Sequence, residues 1–261
     1  MQRAAQPLGV EPGEVLEQYY KTLLQQFGPQ GWWPARTRLE VILGAILTQN
    51  TSWRNVTVAL RRLRKAGLLR WPRLRMASAA DLEACIRPAG YYRQKARTIQ
   101  TFVKWLDCVH RGSLDVLFGQ PPRLLRNQLL ELRGLGPETV DAILLYAGKQ
   151  PFFVADAYTR RILARHELIL PRDGYSAAQE FLHQHLPEDE AVYNEFHALL
   201  VETGKRYCKR QAPQCEVCPL QSFLPSRQRR SVQHWAREFT LQHTLRTAAR
   251  REARRTAYGY K

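Results

Sequence analysis

The chain is short of acid. Of its 261 residues only 23 are Asp or Glu, against 40 Lys or Arg, which leaves a net charge of +17 at pH 7 and a pI of about 10.1. Such a surplus implies a polyanionic partner, nucleic acid before a membrane surface. Long apolar runs are missing too. No stretch of roughly eighteen apolar residues and no cationic-then-apolar leader is found, so neither a membrane span nor a secretory signal is indicated. A cytoplasmic, nucleoid-associated monomer with no membrane partner is the expectation. Sustained period-two alternation is absent, which argues against sheet, and no internal repeat is visible. The five cysteines are odd in number and three crowd between Cys208 and Cys218. That pattern suits a reducing compartment and metal chemistry better than a disulfide frame.

What is present is helical periodicity, backed by a 44% hydrophobic composition that can fill a core. Apolar residues recur at i, i+3/i+4 over Val15–Phe27, Thr37–Thr48, Ser52–Ala66, Ser78–Ile86, Tyr91–Val109 and Pro122–Leu132. They do so again over Pro137–Gly148, Asp156–Arg165, Ala177–Leu186 and Glu188–Lys205. The fold class is therefore all-α. Gly148–Phe153 is a candidate seam between two helical bundles. From Arg227 to Lys261 ten cations face two acids, a basic tail that reads equally as a neutral solvated extension or as a DNA-contacting arm.

The richest segment is Leu132–Asp156. In Leu132-Arg133-Gly134-Leu135-Gly136-Pro137 two glycines permit positive φ and close backbone approach, and Pro137 suits the first helical position. A helix opening on such a turn aims unpaired N–H groups outward, where phosphate oxygens are natural acceptors. Gly134, Leu135, Gly136 and Pro137 are therefore the candidate phosphate-binding turn; a plain helix–turn–helix connection is the alternative. Asp156 follows about one helix length later. A carboxylate there can stabilise a cationic sugar and orient a water, or it can simply cap the helix that follows. Glu138 stands where a strand-cutting enzyme would place a nucleophilic amine, and a glutamate forms no imine. The chemistry reads as hydrolysis by water without strand cleavage.

Trp32, Trp33, Pro34 and Trp53 form an aromatic cluster suited to gripping an extruded base, with a cation–π gain for an alkylated purine. A single tryptophan is more often core, but adjacent Trp32 and Trp33 beside a proline cannot both face inward on a regular helix. Gln49 ends an apolar helix and is a candidate to fill the stack left by an everted base; a polar helix terminus is the alternative. Cys208-x6-Cys215-x2-Cys218-Pro219 resembles an iron–sulfur loop. The next ligand position holds Leu224, so the loop reads as an incomplete 4Fe–4S site of uncertain metal content. A three-thiolate zinc site with His234 is the other option. Cys85 and Cys108 read as small hydrophobes.

Taken together these residues resemble the helix–hairpin–helix glycosylase superfamily of endonuclease III, over approximately Val15 to Leu224. LRGLGPET matches its LPGVGRKT-type hairpin, FVADAYTRRI its VDTHIFRV-type aspartate segment, and HALLVETGKRYC the approach to its cysteine loop. WWP and LTQNTSW are most similar to the 3-methyladenine DNA glycosylase III branch, which lacks the lyase lysine and the cluster. The resemblance implies a six-helix barrel with the hairpin at 36–148. It also implies a second helical domain from 12–35 and 149–226, a groove between the two, and the basic tail 227–261. It implies Asp156 as the catalytic residue and Gln49 as the wedge. Trp32, Trp33, Pro34, Trp53 and Lys205 become the base pocket, with Trp53 where the branch has Phe and Lys205 in poor register. The implied activity is monofunctional excision of alkylated purines such as 3-methyladenine from double-stranded DNA, no cofactor being required for the chemistry. Excision of oxidised pyrimidines and non-catalytic DNA binding are the competing readings.

Overall fold

The computed structural model describes residues 11–225, and every regular element among them is helical. The basic tail 227–261 and His234 lie outside the described residues. The chain sorts into two compact units. A hairpin unit takes Pro29–Ala157 and Asp173–Leu199; a cysteine-loop unit takes, among the described residues, 11–28, Tyr158–Arg172 and 200–225. Residues 29–35, 149–157 and 173–199 thus fall with the hairpin, whereas the sequence reading gave them to the second domain.

In chain order the helices are α1 (Pro12–Phe27), α2 (Arg38–Thr48), α3 (Trp53–Lys65), α4 (Trp71–Leu74), α5 (Ala79–Ile86) and α6 (Tyr92–His110). They continue with α7 (Leu114–Phe118), α8 (Pro122–Leu130), α9 (Pro137–Ala142), α10 (Ala157–Arg165), α11 (Tyr175–His185) and α12 (Glu190–Arg206). Thr37, Ser52 and Ser78, read from sequence as first helical residues, are N-caps: their hydroxyls accept from the N–H of Glu40, Asn55 and Asp81. Each satisfies a donor that the first helical turn cannot. Helix α9 runs straight into a π turn over Ile143–Ala147, a widening that apolar periodicity does not signal. The short α4 and α7 are below the length at which a period can be read.

In the hairpin unit α2 is the central element. Leu39 through Leu47 are all buried, and α3, α6, α9 and the π turn pack on it. A helix that is apolar on every side belongs in a core. Its one acid, Glu40, is only 3% exposed, accepts the Arg36 N–H and pairs with Arg64. The C-terminal end of α2 is held by Lys95, whose buried Nζ donates to Leu47 O at 2.9 Å and Ala89 O at 2.8 Å. Burial pulls the Lys95 amine down to about 8.

A second buried ion pair fixes the approach to the site. Asp141 is fully buried on α9 and accepts both Arg126 Nε (2.6 Å) and Nη2 (3.0 Å), with Tyr175 Oη (2.8 Å) and Gln179 Nε2 (2.7 Å) adding to the carboxylate. Gln179 Nε2 also donates to Phe153 O, and the Phe153 N–H donates to His183 Nε2. The extended segment ahead of Asp156 is thereby pinned on both backbone groups.

Candidate active site

The hairpin closes as its glycines allow, but only one of them needs positive φ. Gly134 has φ +97°, and a Cβ there would sit 2.1 Å from Thr98 Oγ1 on α6. Gly136 has φ −95° with open space around its Cα, and serves as the N-cap of α9. Leu135 is buried and its N–H donates to Leu132 O at 3.0 Å, while Pro137 has no N–H. Of the four turn residues, Gly134 and Gly136 are therefore the ones whose backbone donors have no acceptor among the described residues.

Gln49 meets this turn. Its Nε2 donates to Gly134 O and to Thr139 Oγ1, both at 2.9 Å, tying the end of α2 to the hairpin. Beside it Asn50 is exposed in the left-handed region at φ +51°.

The three tryptophans come together. Trp32 and Trp33, joined by a cis peptide, both touch Trp53 at the head of α3, with ring centroids 4.9 Å and 5.1 Å away. Trp33 meets Trp53 edge to face at 86°. A purine held between two parallel faces needs those faces roughly 7 Å apart, twice a stacking distance. Trp33 and Trp53 leave no such slot. Their half-exposed outer surfaces are the available platforms. Trp33 lies flat on α2 at Gly44, where a Cβ would meet Cζ2 at 3.0 Å, and its buried Nε1 has no partner. Exposed Pro34 follows it, and the Gln30 N–H donates to Glu195 Oε1 at 2.6 Å, which holds this loop to α12.

From the indoles a line of contacts leads to Asp156. The Trp33 ring touches Tyr146, 5.1 Å between centroids. Tyr146, fully packed in the π turn, hydrogen-bonds through its hydroxyl to His197 Nδ1 on α12. Burial first, then the charges of Asp156, Glu190 and Glu195, raise the Tyr146 hydroxyl well above its ordinary range. The hydroxyl is therefore protonated, and with Nδ1 committed to it the nitrogen left to the imidazole is Nε2. That Nε2 points at Asp156 Oδ2 from 3.7 Å, too far for a hydrogen bond, and has no other partner. Asp156 stands immediately before α10 with its side chain 14% exposed. Tyr146 and His197 escaped the sequence reading. One hides in an apolar run; the other heads the HALLVETGKRYC string, which resembles only the approach to the cysteine loop.

Against protein-family models, residues 43–188 match the HhH-GPD superfamily base excision DNA repair proteins. The chain belongs to this superfamily. A Methanocaldococcus jannaschii protein named as a DNA repair glycosylase is 39% identical over 216 residues, covering 82% of this chain and 97% of that protein. Among solved structures, a non-covalent endonuclease III–DNA complex superposes with a TM-score of 0.72 at 22% identity, covering 85% of this chain and 99% of that one. The Helicobacter pylori 3-methyladenine DNA glycosylase bound to 1,N6-ethenoadenine superposes with a TM-score of 0.66 at 26% identity, covering 76% and 98%. As an HhH-GPD protein the chain is a base-excision DNA glycosylase whose partner is DNA.

Members of the endonuclease III type imply a 4Fe–4S cluster, and the donors here do not fit one. Cys208, Cys215 and Cys218 line a single pocket in the cysteine-loop unit, but Leu224, which also lines it, is 3% exposed at the fourth ligand's place in the spacing. Cys208 Sγ accepts from Arg165 Nη1 at 3.1 Å, and Arg165 Nη2 reaches Arg210 O at 3.2 Å. His166, also on the pocket wall, hydrogen-bonds Tyr19 Oη through Nδ1 at 2.6 Å, and burial pulls it down to about 4. Among the described residues no three His, Cys, Asp or Glu groups are placed to hold a metal ion. Lys205 belongs to this same unit, exposed in the last turn of α12.

Proposed function

We propose that this HhH-GPD glycosylase is monofunctional and hydrolyses the N-glycosidic bond of alkylated purines, 3-methyladenine being the leading substrate. The observation that carries the reading is the run of contacts from the indole cluster through Tyr146 to His197, whose Nε2 faces Asp156 Oδ2 from 3.7 Å. It places a carboxylate and a set of electron-rich ring faces in one unit, and an alkylated purine needs both. Its ring carries positive charge, so the half-exposed indole faces attract it beyond what apolar burial supplies. The same charge makes it a good leaving group. The C1′–N bond breaks with its electron pair going to the purine, and Asp156 stabilises the cationic sugar left behind. Water then attacks C1′ and loses a proton to Asp156 or to solvent.

The duplex would be held by the Gly134 and Gly136 N–H groups, which need no sequence information. Gln49 is the candidate to fill the vacated stack. Doing so means giving up its bonds to Gly134 O and Thr139 Oγ1, which couples insertion to the hairpin. Exposed Glu138 on α9 supplies no amine, so the product is an intact abasic strand. The ethenoadenine-bound H. pylori relative supports the purine class.

The test is to incubate purified protein with alkylated duplex DNA and identify each released base by mass spectrometry, with borohydride trapping in parallel. Released 3-methyladenine and no trapped adduct are expected. Released oxidised pyrimidines with a covalent adduct would shift the protein to the endonuclease III activity. Tight duplex binding with no base released would reduce it to a DNA-binding scaffold.

A further inference from the structure

From Arg54 to Arg75 the chain carries eight cations and no acid. On α3 they are sorted by face. Val56, Ala59, Leu60 and Leu63 are buried, while Arg54, Arg61 and Lys65 are exposed. At 3.6 residues per turn these three fall within roughly 40° of one another, on the side opposite the buried stripe. At 1.5 Å per residue they are spaced about 10.5 Å and about 6 Å along the axis. Two other cations in the stretch are neutralised: Arg64 by Glu40, and Arg75 by Asp107 at 3.3 Å. Arg54, Arg61, Arg62, Lys65, Arg70 and Arg73 have no ion pair among the described residues, and all six are exposed.

The geometry points to the outer face of α3 as a second phosphate-binding surface, which tracks the DNA backbone beyond the lesion independently of sequence. Three features select DNA over an acidic protein. The row begins one residue after Trp53, which belongs to the indole cluster, so a strand delivering a base there runs on past α3. The three cations span about 16.5 Å of helix, the length over which one strand of a duplex presents about five phosphates. And the face offers guanidinium and ammonium groups around a single half-buried valine, Val58, with no aromatic or long apolar anchor, the makeup of a backbone contact and not of a protein hot spot. This surface rests on the glycosylase reading only for where along the duplex it falls; duplex binding itself is independent of catalysis.

The experiment measures affinity for an undamaged 30-base-pair duplex across a potassium chloride series by fluorescence anisotropy. The variants are R54Q/R61Q/K65Q and a charge-matched control, K21Q/K104Q/R172Q, whose residues are exposed elsewhere. Losing three phosphate contacts should flatten the slope of log K against log salt by about 2.7 in the first variant and leave it unchanged in the control. With alkylated duplex the first variant should show a raised KM. An unchanged slope would overturn the assignment and leave the face to an acidic protein. Equal flattening in both variants would also overturn it, showing net charge alone at work. Base release is scored separately in the wild type. A flattened slope with no released base keeps the surface and removes the glycosylase reading; released base with an unchanged slope does the reverse.

Discussion

His197 Nε2 faces Asp156 Oδ2 across 3.7 Å, with Nδ1 committed to the Tyr146 hydroxyl. The imidazole is thus held at one nitrogen and turns its other, unshared nitrogen toward the carboxylate. A small closure, as when a sugar crowds the site, would turn that approach into a hydrogen bond and fix the carboxylate's orientation. Asp156→Asn should lower single-turnover base release by on the order of 10²–10⁴ while leaving duplex affinity nearly intact. Full activity in that variant would remove Asp156 from the mechanism. His197→Gln keeps a donor at similar reach and should retain more activity than His197→Ala. If the two fall equally, the imidazole only fills space.

The two hairpin glycines should part company. Gly134→Ala drives a Cβ to 2.1 Å from Thr98 Oγ1 at a φ of +97°, so both folding stability and duplex binding should drop. Gly136→Ala meets nothing within 4 Å and an ordinary φ, so its melting temperature should stay near wild type. Any loss of affinity in Gly136→Ala then reports how close a phosphate comes to that backbone.

Lys95 offers a pH test. Lys95→Met strands the Leu47 and Ala89 carbonyls inside the unit, at about 1–3 kcal/mol for an unsatisfied buried group. In the wild type the folded amine sits near 8, below its ordinary 10.5. Between those values the unfolded chain binds more protons than the folded one, so this group's contribution to stability rises with pH. A neutral amine still has two N–H groups for its two carbonyls. Urea midpoints at pH 7 and pH 10 should therefore show the wild type gaining on Lys95→Met, and a constant gap would contradict the assignment.

Asp141→Ala leaves Arg126 half-buried without its partner and frees Gln179 from one of its two acceptors. Breaking a buried pair from one side costs about 3–5 kcal/mol. Denaturation should show the loss directly. Base release should fall too, because the same Gln179 amide holds Phe153 three residues before Asp156.

The purified protein should show no broad iron–sulfur absorption band, and a chelator should leave its melting temperature unchanged. Arg165→Ala, by contrast, removes the guanidinium that joins Cys208 Sγ to Arg210 O and should lower that temperature. A stoichiometric four-iron cluster in the spectrum would overturn this account of the loop.

Much of the molecule was legible from local chemistry. Helix positions follow from apolar spacing, and Thr37, Ser52 and Ser78 marked helix starts to within one residue because a hydroxyl there meets a predictable donor. The glycine turn and its proline announced the hairpin by the φ each residue permits. Proximity in space was less visible. That Gln49 would spend its amide on the hairpin, or that Trp33 would press edge-on against Trp53 instead of opening a slot, depends on partners 85 and 20 residues away in sequence.

The sequence by itself determined an all-helical chain of strong positive charge, a glycine turn ahead of a helix, a carboxylate at a helix start and a cysteine loop lacking its fourth thiol. Each of these is settled within a few residues, by backbone sterics, side-chain chemistry or a plain count of charges. Only the tertiary structure decided that Tyr146 and His197 connect the indoles to Asp156, and that the Cys208 sulfur takes a hydrogen bond from a guanidinium. Those pairings depend on which helix faces meet, and burial selects the faces only once the whole unit has packed.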